Sequence, residues 1–259
     1  MDVVLHDFSI AQIANSGQCF RISKNSNNQW KVYHKEHHLE ITQVSAELCN
    51  VDCNEEEWQK IWYSYFDLNT DYSTIKHLIL NSNDTYLQKA VKFGLGLRIL
   101  RQDLLETIIV YIISQNNNIP RITKTVNLIC TLYFPNINTL ANLSIDDWQS
   151  FGTGYRAKYL YEAVQKIYDG TFNLDKLKTM DYKSAITYLK ILNGVGDKVA
   201  NCIALFGLHH MNAFPKDVWI KRIIEKHYNG LFPIDKYYNW LGIVQQYMFY
   251  YERFIKSYD

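Results

Sequence analysis

The chain has 259 residues, of which 47% are hydrophobic and 20% are charged, as in an ordinary globular protein. These proportions exclude a disordered chain, a collagen-like chain and a small scaffold held by disulfides. The formal net charge is +1, so any attraction to nucleic acid must come from a local basic surface.

The N-terminal part predicts a small antiparallel sheet. Three short alternating segments are separated by turn-like stretches: Cys19–Ile22, Trp30–Tyr33 and Leu39–Ile41. From Glu55 the hydrophobic period becomes helical nearly to the end. We therefore predict an α+β fold, with an N-terminal antiparallel β-sheet domain and flanking helices at residues 1–85. A two-lobed all-helical body follows at residues 86–259, and the N-terminal segment can also complete its lobes.

Several helices of this body have clear sequence signals. Residues 104–113 are apolar around nearly the whole helical circumference, which predicts a central helix. Ser144 and Asp147 have the spacing of a capping box. A helix is predicted over residues 155–168, and Gly170 is suited to its C-terminal cap.

The spacing of the cysteines and the shortness of the apolar runs predict an intracellular protein. The five cysteines are dispersed, with no Cys-x-x-Cys pair, and none follows Cys202, so we predict reduced thiols and no iron–sulfur cluster. No apolar run approaches the roughly 20 residues of a membrane span. The N-terminus has no basic segment ahead of an apolar stretch, so we expect no secretory signal and no membrane partner.

A glycine-rich turn suggests contact with DNA. Gly194 and Gly196 separate two helical patterns within residues 182–207, which predicts a helix-hairpin-helix motif. Amides at the start of the second helix can face a phosphate and hold the DNA backbone without reading sequence. A purely structural helical turn has the same need for glycine, so the motif alone leaves both interpretations open.

Two residues near this turn suggest catalysis. Lys198 follows the hairpin, and Asp217 lies 19 residues later, directly before a helix predicted over residues 218–228. A positioned lysine amine can act as a nucleophile. The alternative interpretations are a solvated lysine and an aspartate that caps its helix.

These residues, together with four sequence blocks, resemble the 8-oxoguanine DNA glycosylases of the helix-hairpin-helix superfamily. The blocks are residues 16–21, 116–122, 154–159 and 198–202, and the likeness extends over residues 16–249. It implies a bifunctional glycosylase and AP lyase that flips out and excises 8-oxoguanine, preferably opposite cytosine, in base excision repair. Abundant Asn, Ile, Lys and Tyr, and no nuclear signal, suggest a bacterial member acting in the cytoplasm or nucleoid.

The resemblance assigns the chemistry to Lys198 and Asp217. Lys198 would attack the anomeric carbon of the flipped nucleotide, expel the base and form a Schiff base that permits β-elimination. A neighbouring Asp217 favours the ammonium form of that lysine, which desolvation or transient proton transfer must offset. In return the carboxylate can stabilise positive charge that develops on the sugar.

The resemblance also assigns three groups of binding residues. The lesion-base pocket is formed by Gly17, Cys202, Gln245 and Phe249, with Gln245 on the pairing edge of the base. The residues assigned to filling the hole in the duplex and contacting the orphan cytosine are Asn116, Arg121, Tyr155 and Arg156. Contacts with the DNA backbone fall to Gly194, Gly196, Val199 and Trp219.

A monovalent cation, Na⁺ or K⁺, is implied at the hairpin carbonyls of Lys190, Leu192 and Val195, and no other cofactor is required. This sequence departs from the family pattern at three positions. Asn193 replaces the usual proline, Asn201 replaces an aspartate, and Trp219 stands where eukaryotic members carry a phosphate-contacting histidine.

Other functions remain open on the sequence. One alternative is a pyrimidine-lesion glycosylase/lyase without an iron–sulfur cluster, and another is a noncatalytic helix-hairpin-helix protein that only binds DNA. A monofunctional alkyl-base glycosylase usually has the aspartate without this lysine. In each case the expected partner is double-stranded DNA, damaged for the enzymes, and no obligate protein partner is implied.

Overall fold

The computed structural model describes residues 1–255. Contacts divide these residues into two compact units that do not follow chain order. The first unit comprises residues 1–32, 38–101 and 211–255, and the second comprises residues 33–37 and 102–210. The last four residues of the helical body predicted at 86–259 lie outside the described residues. The predicted boundary at residue 85 remains a prediction.

A five-stranded antiparallel sheet is formed near the N-terminus, in the order β1-β5-β4-β3-β2. Its strands are β1 (Asp2–Val4), β2 (Ile22–Lys24), β3 (Trp30–His34), β4 (His37–Gln43) and β5 (Leu48–Val51). In the register, Val3 lies opposite Cys49 and Ile41 opposite Val51, and all four side chains are buried. The predicted sheet is confirmed, with two more strands than the sequence indicated, but the predicted segment Cys19–Ile22 overlaps β2 only at Ile22.

The remaining regular elements are helices. Helix α1 (Ile10–Asn15) lies between β1 and β2. After β5 come α2 (Glu55–Glu57), a π-helical turn (Trp58–Trp62), α3 (Tyr63–Tyr65), α4 (Ser73–Leu80) and α5 (Thr85–Phe93). Those of the second unit are α6 (Leu104–Ile113), α7 (Ile119–Ile129), α8 (Ile137–Ala141), α9 (Ile145–Ser150), α10 (Arg156–Tyr168), α11 (Leu174–Lys178), α12 (Tyr182–Leu189) and α13 (Asp197–Phe206). The chain then forms α14 (Val218–Tyr228), a 3₁₀ segment (Ile234–Trp240) and α15 (Leu241–Ile255).

Each unit has its own core. In the first unit, the inner face of the sheet packs on the aromatic side chains of Trp58, Trp62, Tyr65 and Phe66. In the second unit, α6 contacts α7, α10 and α13, and its residues from Thr107 to Ile113 are all buried. The central position predicted for this apolar helix is therefore confirmed.

Local signals were also confirmed. Ser144 and Asp147 form the capping box of α9, and Gly170 adopts a left-handed backbone (φ 80°) just after α10. All five cysteines are free, as predicted, and burial raises the pKa of the Cys49 thiol to about 11. Within residues 1–255, no helix is long and apolar enough to cross a membrane.

Candidate functional site

The loop between α12 and α13 is a tight hairpin that requires glycine at one position. Gly194 has a φ of 82°, and a Cβ placed there would lie 2.6 Å from the Tyr159 ring. The amide of Val195 donates to the carbonyl of Leu192 at 3.0 Å. A carbonyl oxygen has two lone pairs, so that of Leu192 keeps one after this hydrogen bond, and a cation at the carbonyls of Lys190, Leu192 and Val195 stays a prediction.

The second helix of the hairpin begins without a side-chain cap. Gly196 is the N-cap of α13 and offers no side-chain acceptor, whereas Asp181 and Asp217 cap α12 and α14 with their carboxylates. Lys190 and Asp197 close the loop with an ion pair of 2.7 Å. The first amides of α13 are therefore left for an external acceptor.

Two departures from the family pattern take part in local hydrogen bonds. Asn193, at the usual proline position, donates from Nδ2 to Glu162 Oε2 of α10 at 2.5 Å. Asn201 accepts from the Tyr182 hydroxyl at 2.7 Å and so ties α13 to α12. Side-chain hydrogen bonds from these two asparagines thus tie the hairpin to α10 and its two helices to each other.

Lys198 lies in the first turn of α13 and is half-buried. Its Nζ is 5.6 Å from the centroid of the Tyr111 ring, close enough for a cation–π contact. Tyr111 is buried and stacks on Phe206, with centroids 5.5 Å apart and ring planes 11° apart. Cys202, one helical turn after Lys198, is also buried. Sequence reasoning missed Tyr111, since an aromatic in an apolar helix has no pattern that sets it apart.

Asp217 is the N-cap of α14, in the first unit. Its Oδ1 accepts the amide of Ile220 at 2.9 Å, so the cap interpretation is confirmed, and the catalytic role of the same carboxylate stays a prediction. Trp219, in the first turn of α14, is half-buried, and the guanidinium carbon of Arg222 is 6.0 Å from its ring centroid. Nearby, Gln245 of α15 donates to the carbonyl of Pro215 at 3.4 Å.

Gly17 follows α1 in a left-handed conformation (φ 77°) that favours glycine. The next residue, Gln18, is buried and holds this segment in place. Its Nε2 donates to Ser16 Oγ and to the carbonyl of Arg98, each at 2.9 Å, and its Oε1 accepts the amide of Leu100 at 2.8 Å. Sequence reasoning singled out Gly17 and missed Gln18, whose main partners lie about 80 residues away.

The loop between α6 and α7 presents Asn116 to solvent. Asn116 has a left-handed backbone (φ 43°), and its Nδ2 donates to the Tyr155 hydroxyl at 3.3 Å. Asn118 caps α7 by accepting the amide of Arg121 at 3.0 Å. The side chains of Asn116, Tyr155 and Arg121 are exposed, and their predicted roles toward the duplex and the orphan cytosine stay predictions.

Arg156 is only 3% exposed and holds this loop through hydrogen bonds. Its guanidinium donates to the carbonyls of Gln115, Asn116 and Thr153, and stacks 4.5 Å from the centroid of the Tyr155 ring. Most of its N–H groups are therefore engaged with backbone. Arg156 and Arg121 were predicted to act alike on cytosine, but their surroundings differ.

The predicted site residues fall in both units. The second unit brings Asn116, Tyr155 and Arg156 together, and it also holds Lys198, Cys202 and the hairpin. The first unit holds Asp217, Trp219, Gly17, Gln245 and the half-buried Phe249. Among residues 1–255, no group of three or more His, Cys, Asp or Glu could hold a metal ion.

Two known protein families match the chain. Residues 1–108 match the N-terminal domain of 8-oxoguanine DNA glycosylase, and residues 109–231 match the HhH-GPD superfamily of base excision DNA repair proteins. A curated relative, N-glycosylase/DNA lyase OGG1 of Arabidopsis thaliana, is 37% identical over 145 residues, or 49% of this chain. The chain spans 40% of that relative, and 54% and 64% of two other curated N-glycosylase/DNA lyases, from Saccharomyces cerevisiae and Methanothermobacter thermautotrophicus.

Two solved structures are similar over almost their full length. The structure of MBOgg1 in complex with a low-affinity DNA ligand is 34% identical, with a TM-score of 0.92, covering 98% of this chain and 96% of that one. The 8-oxoguanine glycosylase/lyase of Clostridium acetobutylicum, bound to duplex DNA with cytosine opposite 8-oxoguanine, is also 34% identical, with a TM-score of 0.90. That match covers 97% of this chain and 93% of that one.

Proposed function

Because the chain belongs to the 8-oxoguanine DNA glycosylase family of the HhH-GPD superfamily, we propose that it is a bifunctional DNA glycosylase and AP lyase. Its substrate is 8-oxoguanine in duplex DNA, preferably opposite cytosine, and it acts inside the cell in base excision repair. The observation that carries the proposal is the half-buried lysine in the first turn of the second hairpin helix, within a fold shared with these glycosylases.

The chemistry begins with the amine of Lys198. Its neutral form attacks the anomeric carbon, the N-glycosyl bond breaks, and the base leaves with the bonding electrons and takes up a proton. The sugar ring then opens: the C1′–O4′ bond breaks, O4′ takes up a proton, and the lysine nitrogen forms an iminium with C1′. The iminium allows loss of a proton from C2′ and cleavage of the 3′ C–O bond, with the 3′ phosphate as the leaving group. Asp217, oriented by its own helix cap, stabilises positive charge on the sugar.

DNA is held mainly by backbone groups. A phosphate binds the uncapped start of α13, where Gly196 leaves open space for it and the helix dipole favours an anion. Asn116 enters the vacated stack, and Tyr155 lies beside it. A monovalent cation at the carbonyls of Lys190, Leu192 and Val195 would tie the hairpin loop together, and the chemistry itself needs no cofactor.

Borohydride trapping tests this function. We expect the protein to form a covalent adduct with duplexes containing 8-oxoguanine, in highest yield opposite cytosine, and to cleave the strand. Lys198→Gln should abolish the adduct and retain DNA binding. The matched control is Lys178→Gln, which changes an exposed lysine of the same unit that pairs with Asp175. It should trap normally.

Two outcomes would contradict the proposal. An adduct formed by Lys198→Gln would remove the lysine assignment. Binding without an adduct on any 8-oxoguanine duplex would direct the search to pyrimidine lesions, and then to a noncatalytic DNA-binding role.

A further inference from the structure

Two adjacent glutamines of α15 are both buried, at 4% exposure each. Gln246 donates from Nε2 to Gln245 Oε1 at 3.0 Å, and Gln245 donates from Nε2 to the carbonyl of Pro215 at 3.4 Å. The amide of Gln245 is therefore held at its oxygen and at its nitrogen.

The other end of Gln246 is unusual. Its Oε1 is buried and has no hydrogen-bond partner among the described residues. A buried acceptor without a partner costs free energy, so an apolar side chain would suit this position better if packing were its role. The advantage of an amide over an apolar side chain at position 246 is its hydrogen bond to Gln245.

The orientation of Gln245 matters for the base it reads. With one lone pair and one N–H already engaged, Gln245 has one acceptor and one donor left. A guanine-type pairing edge offers an acceptor, O6, beside a donor, N1–H. An adenine-type edge offers the same pair in reverse, with N1 accepting and N6–H donating.

A free glutamine could serve both edges, because its terminal torsion is broad and roughly two-fold. If the Gln245 amide turned over, its Nε2 would face the Nε2 of Gln246, and its Oε1 would face the carbonyl of Pro215. A donor would then face a donor, and an acceptor would face an acceptor. With the Gln246 amide as it stands, its hydrogen bond and the carbonyl of Pro215 thus both favour the present orientation of Gln245.

We propose that Gln246 is a positioning residue that holds Gln245 in the orientation suited to guanine-type pairing edges and so disfavours adenine-type ones. This role rests on the proposed function, in which Gln245 reads the flipped base. It is a specificity role, since Gln246 itself need not touch the base.

The test compares two lesions that differ at the pairing edge. Oxidised guanine and 8-oxoadenine share the 8-oxo group and N7–H, so the ratio of their single-turnover excision rates opposite cytosine isolates the pairing edge. Gln246→Met removes the donor at similar volume. We expect this ratio to fall about tenfold, the size of one good amide-to-base contact.

Two further variants separate orientation from stability. Gln88→Met changes another part-buried glutamine of the first unit, whose amide donates to the carbonyls of Leu80 and Ser82, and should leave the ratio unchanged. In a Gln245→Met background, adding Gln246→Met should not change the ratio further, because Gln246 acts through Gln245.

The outcomes distinguish this inference from the proposed function. An unchanged ratio in Gln246→Met, or a change that persists without Gln245, overturns the positioning role while excision of 8-oxoguanine still supports the function. Failure of the unaltered protein to excise 8-oxoguanine overturns the function and this inference with it.

Discussion

The two arginines assigned to the orphan base show how far single residues can be interpreted. Arg121 is exposed and its guanidinium has no hydrogen-bond partner among the described residues, so it is available to DNA. Arg156 is buried on the carbonyls of Gln115, Asn116 and Thr153. The family resemblance assigned the same role to both, and no local pattern separates them because the partners of Arg156 are mostly backbone atoms about 40 residues away.

We predict different effects for substituting these arginines. Arg121→Gln should relax the preference for cytosine opposite the lesion and leave stability unchanged. Arg156→Gln should lower the free energy of unfolding by roughly 2–4 kcal/mol, because it strips several buried carbonyls of charge-assisted hydrogen bonds. Excision from four duplexes and urea unfolding measure the two effects.

The control for Arg121 is Lys124→Gln, which removes another exposed cation from α7. Its preference for cytosine should match that of the unaltered protein. Full stability in Arg156→Gln would show that the guanidinium does not support the loop.

At the scale of elements, local signals predicted helix ends better than strands. Asp217 caps α14, and the bounds of that helix, Val218–Tyr228, are those predicted. Strands β1 and β5 were missed, because each has only three or four residues and β1 pairs with a segment more than 40 residues away. Such pairing depends on contacts that no local window contains.

The hairpin gives a prediction at this scale, since its two glycines have different surroundings. Gly194→Ala should lower the free energy of unfolding by about 2 kcal/mol or more, because it combines a left-handed φ with a clash against Tyr159. Gly196→Ala should cost less than about 1 kcal/mol, since its φ is −88° and its surroundings are open.

Urea unfolding of the two variants checks this difference. Equal losses would mean that the Tyr159 contact does not restrict the turn. Weaker DNA binding by Gly196→Ala at near-normal stability would agree with a phosphate close to that backbone.

At the scale of the whole molecule, chain order and compact units diverge. Residues 211–255 group with the N-terminal segments, and residues 33–37 group with the second unit. Composition and periodicity describe stretches of contiguous chain, so they cannot reveal a unit assembled from distant segments. The fold class followed from the change of period near Glu55, whereas this grouping required the three-dimensional structure.

Net charge gives the prediction at this scale. The protein has a formal net charge of +1, and its proposed phosphate site consists of neutral backbone amides. We therefore expect few lysine or arginine side chains to displace counterions from DNA. We expect log K against log salt to have a slope shallower than about −5 between about 50 and 200 mM salt. Fluorescence anisotropy with damaged and undamaged duplexes should give similar slopes, and a slope near −10 for either would contradict this.

The uncapped start of α13 links DNA binding to the local stability of the protein. Helices α12 and α14 carry their own caps, so their first amides are protected in the free protein. In the proposed function a DNA phosphate supplies the cap at Gly196, and the protein then gains stability that grows with the logarithm of 1 + [DNA]/Kd. Amide hydrogen exchange in the first turn of α13 should therefore slow when DNA binds. A helix start that lacks a side-chain cap in the free protein would then report directly on whether DNA is bound.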